Sequence, residues 1–453
     1  MHFTRHQTHI AMLAFGTALA ACVPPAARQG TRGVEAALTT RGDSRVSGLR
    51  LDSIPSQPPR IPVGPLALDS AARLALVRSP HVRAILADVG IAAADLWQAS
   101  RLPNPTIDAR YGFRQGGGTA LSGIGIGFSV VSALQVPLKK RIAADELRGA
   151  EQRVADAVYG AVLDVQRAYV AVQHAQQMVE LRQTVAQVTE ASAGVARALR
   201  DAGNLPALHV AAEEAMAAES ATGVASADAE LASARAELGR LMGADVSDTA
   251  WTIGALLEDP KREMWPVSMM DSLAISRRMD IASARARAEA AAQTVGLSRR
   301  FRLLPDGTIG LGLERDPDGQ FVGPTAAITL PLFDQGGAAI ARARSALAQR
   351  VATHDALVVN AHAEVRTALA RMETAQRRVM QIRTVVLPAR RRVVTESQLQ
   401  TNAMALPVFA LLQARQMEID AGQMYLDALR DYWFARAELE RATGGPLPAP
   451  RTP

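Results

Sequence analysis

The sequence predicts a mainly α protein with a small transmembrane β part, in which a unit of long coiled-coil helices and a β-hairpin occurs twice. Three observations carry this. A seven-residue period of small and β-branched residues recurs 200 positions later. Four short segments alternate apolar and small or polar residues and fall into two hairpins. Only 4% of the 453 residues are aromatic, while Ala is abundant, which suits long, closely packed helices because Ala loses no side-chain entropy in them. The 50 basic and 44 acidic residues are interspersed and leave a net charge of +6, so charge alone implies no nucleic-acid partner. A single Cys excludes an intrachain disulfide and any zinc site built on several cysteines.

Residues 1–21 read as a secretory signal: Arg5 supplies the positive start, and Ile10 to Leu19 the apolar run. Leu19-Ala20-Ala21-Cys22 resembles the bacterial lipobox, in which the cysteine becomes the lipidated first residue, so Cys22 is the expected lipidation site. Val23, where an Asp would retain a lipoprotein at the inner membrane, resembles the pattern of those sorted to the outer membrane. Residues 22–66 are rich in Pro, Gly, Arg and Ser without a sustained period and are expected to form an extended arm. Beyond residue 20 no stretch approaches the ~20 apolar residues of a transmembrane helix.

The duplication sets the remaining boundaries: a first repeat at 67–243, a linker at 244–266, a second repeat at 267–445 and a tail at 446–453. Val158, Val165, Val172 and Val179 match Val358, Val365, Met372 and Val379, and Ala161, Ala168 and Ala175 match Ala361, Ala368 and Ala375. This period describes a coiled-coil seam whose alanines let helix axes approach closely. Each repeat is expected to run helix (68–101; 267–301), hairpin (105–136; 306–332), long helix (138–200; 336–400) and closing helix (207–242; 407–443). At ~1.5 Å per residue the long helices would each span about 90 Å, with a kink or short break near Pro388 in the second.

The strands alternate with a period of two, and Pro324 interrupts the fourth. Ile107, Ala109, Tyr111 and Phe113 oppose Asp108, Arg110 and Gly112; Ile124, Ile126, Phe128 and Val130 oppose Gly123, Gly125, Gly127 and Ser129. In the second hairpin Ile309, Leu311 and Leu313 oppose Gly310, Gly312 and Glu314, and Val322, Ala326, Ile328 and Leu330 oppose Gly323, Thr325, Ala327 and Thr329. Gly116-Gly117-Gly118-Thr119 and Asp316-Pro317-Asp318-Gly319 are the expected turns. Strands of this length suit a tilted path across a bilayer. Four cannot close a barrel, and lipid does not tolerate open edges, so several copies must pool their strands.

These residues resemble the TolC family of outer-membrane channel components. The similarity lies in Ala75-Leu76-Val77-Arg78-Ser79-Pro80 followed by Leu102-Pro103-Asn104-Pro105, in Leu238-Gly239-Arg240-Leu241-Met242-Gly243, and in Leu330-Pro331-Leu332-Phe333-Asp334-Gln335-Gly336-Gly337, in that order over about 68–445. Residues 402–445 resemble members that serve heavy-metal and small-molecule pumps of the resistance-nodulation-division class. The resemblance implies a homotrimeric α/β-barrel channel with twelve strands, a periplasmic adaptor protein as partner, an inner-membrane transporter reached indirectly, and an outer-membrane lipid setting. It implies no cofactor, no metal site and no nucleic acid.

No catalytic motif competes with this. Gly123-x-Gly125-x-Gly127 alternates within a strand and lacks the helix that a dinucleotide loop opens. No Walker loop or His-Glu-x-x-His occurs, and the methionines are dispersed at helical spacing, where they fill seams. The functional residues are therefore expected at the tips, where each long helix reverses: Asp201, Gly203, Asn204, Leu205 and Pro206, then Asn402, Ala403, Met404, Leu406 and Pro407. Gly203 and Asn402 are the expected left-handed residues, and each Pro starts the next helix. The resemblance makes these tips the adaptor contact. Some family members carry paired Asp residues after the second tip; Ala410 and Gln413 stand there instead, and His209, with Glu213 one turn on, offers the matching polar place in the first repeat. His209, Glu213 and Gln413 are the expected constriction lining. The alternatives to an efflux duct are a protein-secretion component of the same architecture and a coiled-coil envelope spacer without a pore.

Overall fold

The computed structural model describes residues 26–46, 50–51, 59–112, 121–245, 248, 250–254, 256–304, 307–316 and 319–449, with side chains from residue 31. Cys22 and the signal segment, Phe113, the Gly116–Thr119 turn and Pro317-Asp318 lie outside them. The chain forms two compact units. The first comprises residues up to Ala37 with Leu86–Val154 and Asp280–Ala356; the second comprises Leu38–Ile85, Ala155–Met279 and Leu357–Pro453.

The expected extended arm is partly helical. Helix α1 spans Ala26–Thr39, because Val34, Ala37 and Leu38 share one helical face and all three are buried. The arm also carries strand β1 (Gly64–Pro65), which pairs in parallel with β4 (Trp251–Thr252) of the linker; Gly64 N donates to Ala250 O at 3.2 Å and Leu66 N to Thr252 O at 2.8 Å. A buried ion network holds the arm within the second unit. Arg45 reaches Asp43 at 2.6 Å and Glu440 at 3.1 Å and donates to Gln166, while Arg436 reaches the other oxygen of Glu440 at 2.6 Å. Burial works against the Arg45 charge, but the Asp43 hydrogen bond and the nearby Glu440 hold its pKa above the ordinary value.

In both repeats the first helix, expected as one, is two. Helices α2 (Leu68–Arg78) and α3 (Pro80–Ala99) break at Ser79, and α6 (Val267–Arg277) and α7 (Met279–Arg300) break at Arg278. Both break residues are extended, with ψ of 122° and 123°. Pro80 explains the first, since it disfavours a helical residue before it. No proline follows Arg278, and that break is fixed by packing.

Strands β2 (Thr106–Gly112), β3 (Leu121–Ser129), β5 (Gly307–Asp316) and β6 (Gly319–Ile328) form one antiparallel sheet in the order β2-β3-β5-β6, within the first unit. Helix α4 (Val130–Asp201) follows β3 without a gap, so its 72 residues begin eight positions earlier than expected, and Pro137, expected before the helix, lies inside it. The second repeat departs from this. Residues 329–336 form no regular element, and α8 (Gly337–Gln381) starts after them.

The break expected near Pro388 is a π turn over Ile382–Val386, after which α9 (Leu387–Asn402) carries Pro388 in its first turn. A proline lacks the N–H of the helical ladder and its ring collides with the carbonyl four residues back; a wider turn absorbs both. The closing helices are α5 (Ala207–Met242) and α10 (Val408–Thr443). In the second unit the seam positions Val365, Ala368, Met372, Val379 and Ile382 pack with Ala428, Leu429, Tyr432, Ala435 and Leu439 of α10 in one core. Val158, Val165 and Val172 of α4 are almost wholly buried, so the heptad period is the buried stripe in both repeats.

Candidate functional site: a two-faced sheet and paired helix tips

Registers across the sheet put residues of one parity on one face. Ile107 faces Ile126, which faces Leu311; Ala109 faces Ile124, which faces Leu313, which faces Val322. Phe128 faces Ile309, and Gly307 faces Ile328. This face is apolar except at its turn end, where Ser122, Arg315 and Gln320 fall on it, and Ile107, Tyr111, Ile124, Ile126, Phe128, Ile309, Leu311, Val322 and Ile328 are all exposed on it. Val130, Leu330 and Thr329, assigned to strands by alternation alone, lie beyond the strand ends.

The opposite face carries Asp108 and Arg110, 3.9 Å apart, with Glu314 and Thr325. Its floor is glycine: Gly125 pairs Gly312, and Gly127 pairs Gly310. At Gly310 the floor has no room for a side chain, since a Cβ there would lie 2.3 Å from the Ile126 carbonyl oxygen, and a Cβ on Gly125 would have to displace the Asp108 carboxylate, 2.7 Å away. A hollow of about 210 Å³ lies here, bounded by Asp108, Arg110, Glu314, Phe321 and Thr325. β2 and β6 are the outer strands and leave one ladder edge each unpaired among the described residues.

The two tips superimpose in sequence at a shift of 201, and their turns share one hydrogen-bond pattern. Gly203 N donates to Arg200 O at 2.8 Å and Asn204 N to Leu199 O at 2.8 Å; Met404 N donates to Thr401 O at 3.0 Å and Ala405 N to Gln400 O at 2.9 Å. Gly203 is left-handed, as expected, with φ +76°. Asn402 is not: it ends α9, and Met404 takes φ +56°, the only non-glycine with positive φ among the described residues. Aligning Asp201–Pro206 with Asn402–Pro407 sets Met404 against Gly203, a signal present in the sequence. Pro206 and Pro407 cap their helices in extended conformation, one position before the first helical residue. Asp201, Asn204, Asn402 and Ala403 are exposed, and Leu205 and Leu406 are half-buried.

The expected constriction residues separate. His209 is exposed and stacks on Phe409, with ring centroids 5.4 Å apart and planes 15° apart, which brings the starts of α5 and α10 side by side. Gln413 is exposed. Glu213 points elsewhere: it is 7% exposed, and its Oε2 accepts from Ser192 Oγ of α4 at 2.5 Å. That bond gives the buried Glu213 carboxylate a partner within the chain. Further along the same helices His174 Nε2 meets Asp427 at 3.0 Å; burial and the Arg430 charge hold its imidazole below the ordinary pKa although Asp427 pulls the other way. Among the described residues no group of three His, Cys, Asp or Glu could hold a metal ion, and no helix is long and apolar enough to cross a membrane.

No protein-family model and no curated protein matches the chain. Solved structures do. The outer-membrane channel CmeC of Campylobacter jejuni superimposes with a TM-score of 0.72 at 15% identity, over 83% of this chain and 85% of that one. The outer-membrane protein VceC of Vibrio cholerae gives 0.71 at 17% identity, over 84% and 96%. The MtrE outer-membrane channel of Neisseria gonorrhoeae, in its open state, gives 0.69 at 18% identity, over 83% and 89%. With its duplicated helices, its four-stranded sheet and its overlap with all three over 83–84% of its length, the chain has the fold of these outer-membrane channels.

Proposed function

We propose that the protein is the outer-membrane exit duct of a tripartite efflux system, a passive conduit for small toxic solutes or metal ions. One observation carries the reading: a sheet with an exposed apolar face, a glycine-floored polar face and two open edges. In water the apolar face would be an aggregation hazard, and in lipid the open edges would be intolerable. Pooling three copies edge to edge satisfies both demands, giving twelve strands with lipid outside and Asp108, Arg110 and Glu314 towards water inside. The fold shared with CmeC, VceC and MtrE supports this.

In this reading Cys22 anchors the arm to the outer membrane, and the long helices descend into the periplasm. The tips at 201–206 and 402–407 meet a periplasmic adaptor, through which the duct couples to an inner-membrane transporter of the resistance-nodulation-division class. Solute crosses without covalent change. The protein contributes a water-filled path, and energy and selection reside in the transporter. The test is the mass of the purified full-length protein in detergent together with its conductance in planar bilayers. A trimer with stable conductance is expected; a trimer without conductance would make the chain an envelope spacer, and a silent monomer would end the proposal.

A further inference from the structure

All four connections between strand and helix leave the sheet at one end, because Thr106, Ser129, Gly307 and Ile328 share that end in the register. Each connection repeats one order, outward from the sheet: strand, exposed apolar residue, cation. Before β2 come Leu102 and then Arg101. After β3 come Val130 and Leu134, then Lys139, Lys140 and Arg141. Before β5 come Leu304 and Leu303, then Arg302, Arg300 and Arg299. After β6 come Leu330, Leu332 and the wholly exposed Phe333, then Arg342 and Arg344. All of these apolar residues and cations are exposed.

The charge is one-sided. Residues 99–104 hold one basic residue, 130–144 three, 297–306 three and 329–344 two, against Asp334 and Asp306, the latter outside the described residues. The chain has three lysines, and two of them are Lys139 and Lys140. Arg299 and Arg300 also suit the C-terminal dipole of their own helix. Lys139, Lys140 and Arg141 have no such role, since they lie well inside α4, about 15 Å from the end of β3 at ~1.5 Å per residue. Arg141 falls on the helix face of Val130 and Leu134, two turns beyond Leu134. In the second unit, by contrast, the exposed Arg371, Arg378 and Arg383 are paired with Glu438, Asp431 and Asp259.

We propose that this end of the sheet is a docking belt for anionic phospholipid in the leaflet that faces the helices. The inference rests on the outer-membrane reading above. The exposed leucines and Phe333 continue the apolar face into the acyl region, and the cations reach back from just beyond it to phosphate-bearing headgroups, as long basic side chains do at a membrane interface. Apolar collar and cationic belt are thus the lower border of the lipid-facing wall.

The experiment incubates full-length protein in detergent with equal amounts of phosphatidylglycerol and phosphatidylethanolamine of the same acyl chains and reads bound lipid and oligomeric mass by native mass spectrometry. Wild type is expected to retain phosphatidylglycerol about fivefold or more over phosphatidylethanolamine, with the preference falling as salt rises. The exposed triple variant K139Q/K140Q/R141Q should lose most of it, and R299Q/R300Q part of it, while R371Q/R378Q keeps it. Equal retention of both lipids by wild type, or an unchanged preference in K139Q/K140Q/R141Q, overturns the proposal. So does inorganic phosphate at equal ionic strength displacing the lipid, which would make the belt a site for soluble anions. Loss of the oligomer with an unchanged lipid ratio would put the belt between copies of the chain and overturn it too. Conductance of the same preparation is read separately, so a silent channel with lipid preference intact sinks the duct and not the belt.

Discussion

Met404 holds at φ +56° the turn position that Gly203 holds at φ +76° in the first repeat, and its side chain is 95% exposed. A side chain in the left-handed region costs about 1 kcal/mol that glycine does not incur. Met404→Gly should therefore stabilise the protein by about 0.5–1 kcal/mol, and Gly203→Met should destabilise it by a similar amount. Thermal unfolding of the two variants in the same detergent measures both signs; a lower midpoint for Met404→Gly would show that the methionine side chain, not the backbone, decides the turn.

The two helix breaks should be equally intolerant of a methyl group. Gly243 and Gly444 are left-handed caps, and a Cβ on Gly243 would lie 2.9 Å from the Arg78 carbonyl oxygen, while one on Gly444 would lie 3.0 Å from Arg278 N and Cα. Arg78 seals the first contact by donating to the Gly243 carbonyl from Nε at 3.2 Å and from Nη2 at 3.1 Å. Gly243→Ala and Gly444→Ala should each cost about 2–4 kcal/mol through clash and backbone strain together. Limited proteolysis would find new cleavage near 79 and 278, respectively; unchanged protection in both variants would refute the argument.

Faces of the sheet should respond oppositely to charge. Leu311→Arg places a cation on the apolar face and should cost about 2–4 kcal/mol in a bilayer, enough to abolish assembly. Arg110→Gln on the other face should leave the trimer intact and shift ion selectivity towards cations, because a positive charge leaves the path. Reversal potentials in a salt gradient read the second effect. If Leu311→Arg assembles and conducts while Arg110→Gln does not, the two faces have been assigned the wrong way round.

Acid should weaken the second unit through His174. Its folded pKa lies below the ordinary value, so the unfolded chain binds more protons between the two values. The stabilising contribution of the neutral ring is present above the unfolded pKa of about 6.5 and declines as pH falls towards the folded value. His174→Gln should flatten the fall in melting temperature between about pH 7 and pH 5; identical slopes for variant and wild type would exclude His174 as a source of that loss.

Arg45 should anchor the arm. Arg45→Met leaves Asp43 buried without its partner and removes one of the two cations on Glu440, at a cost of about 3 kcal/mol. Hydrogen exchange of residues 31–46 would rise selectively. A loss of protection spread evenly over the second unit would mean that the network stabilises the helices and not the arm.

The sequence by itself determined the duplication, the hairpins and the buried stripe, because period and alternation act locally: every seventh residue returns to one helix face, and every second residue to one sheet face. Val165 and Val365 or Ile126 and Leu311 could be assigned to a buried stripe and to an apolar face, respectively, without knowing what covers them. Pro388 likewise announced its own break. The tertiary structure alone decided features that depend on neighbours distant in the chain. The break at Arg278 has no local signal and exists because Gly444, 166 residues later, packs its backbone there. Glu213 looked like a polar residue at a tip until Ser192 of the adjoining helix claimed its carboxylate. The arm read as coil became helix over Ala26–Thr39 because three apolar residues found a surface to bury against, and a marginal helix takes most of its stability from such burial.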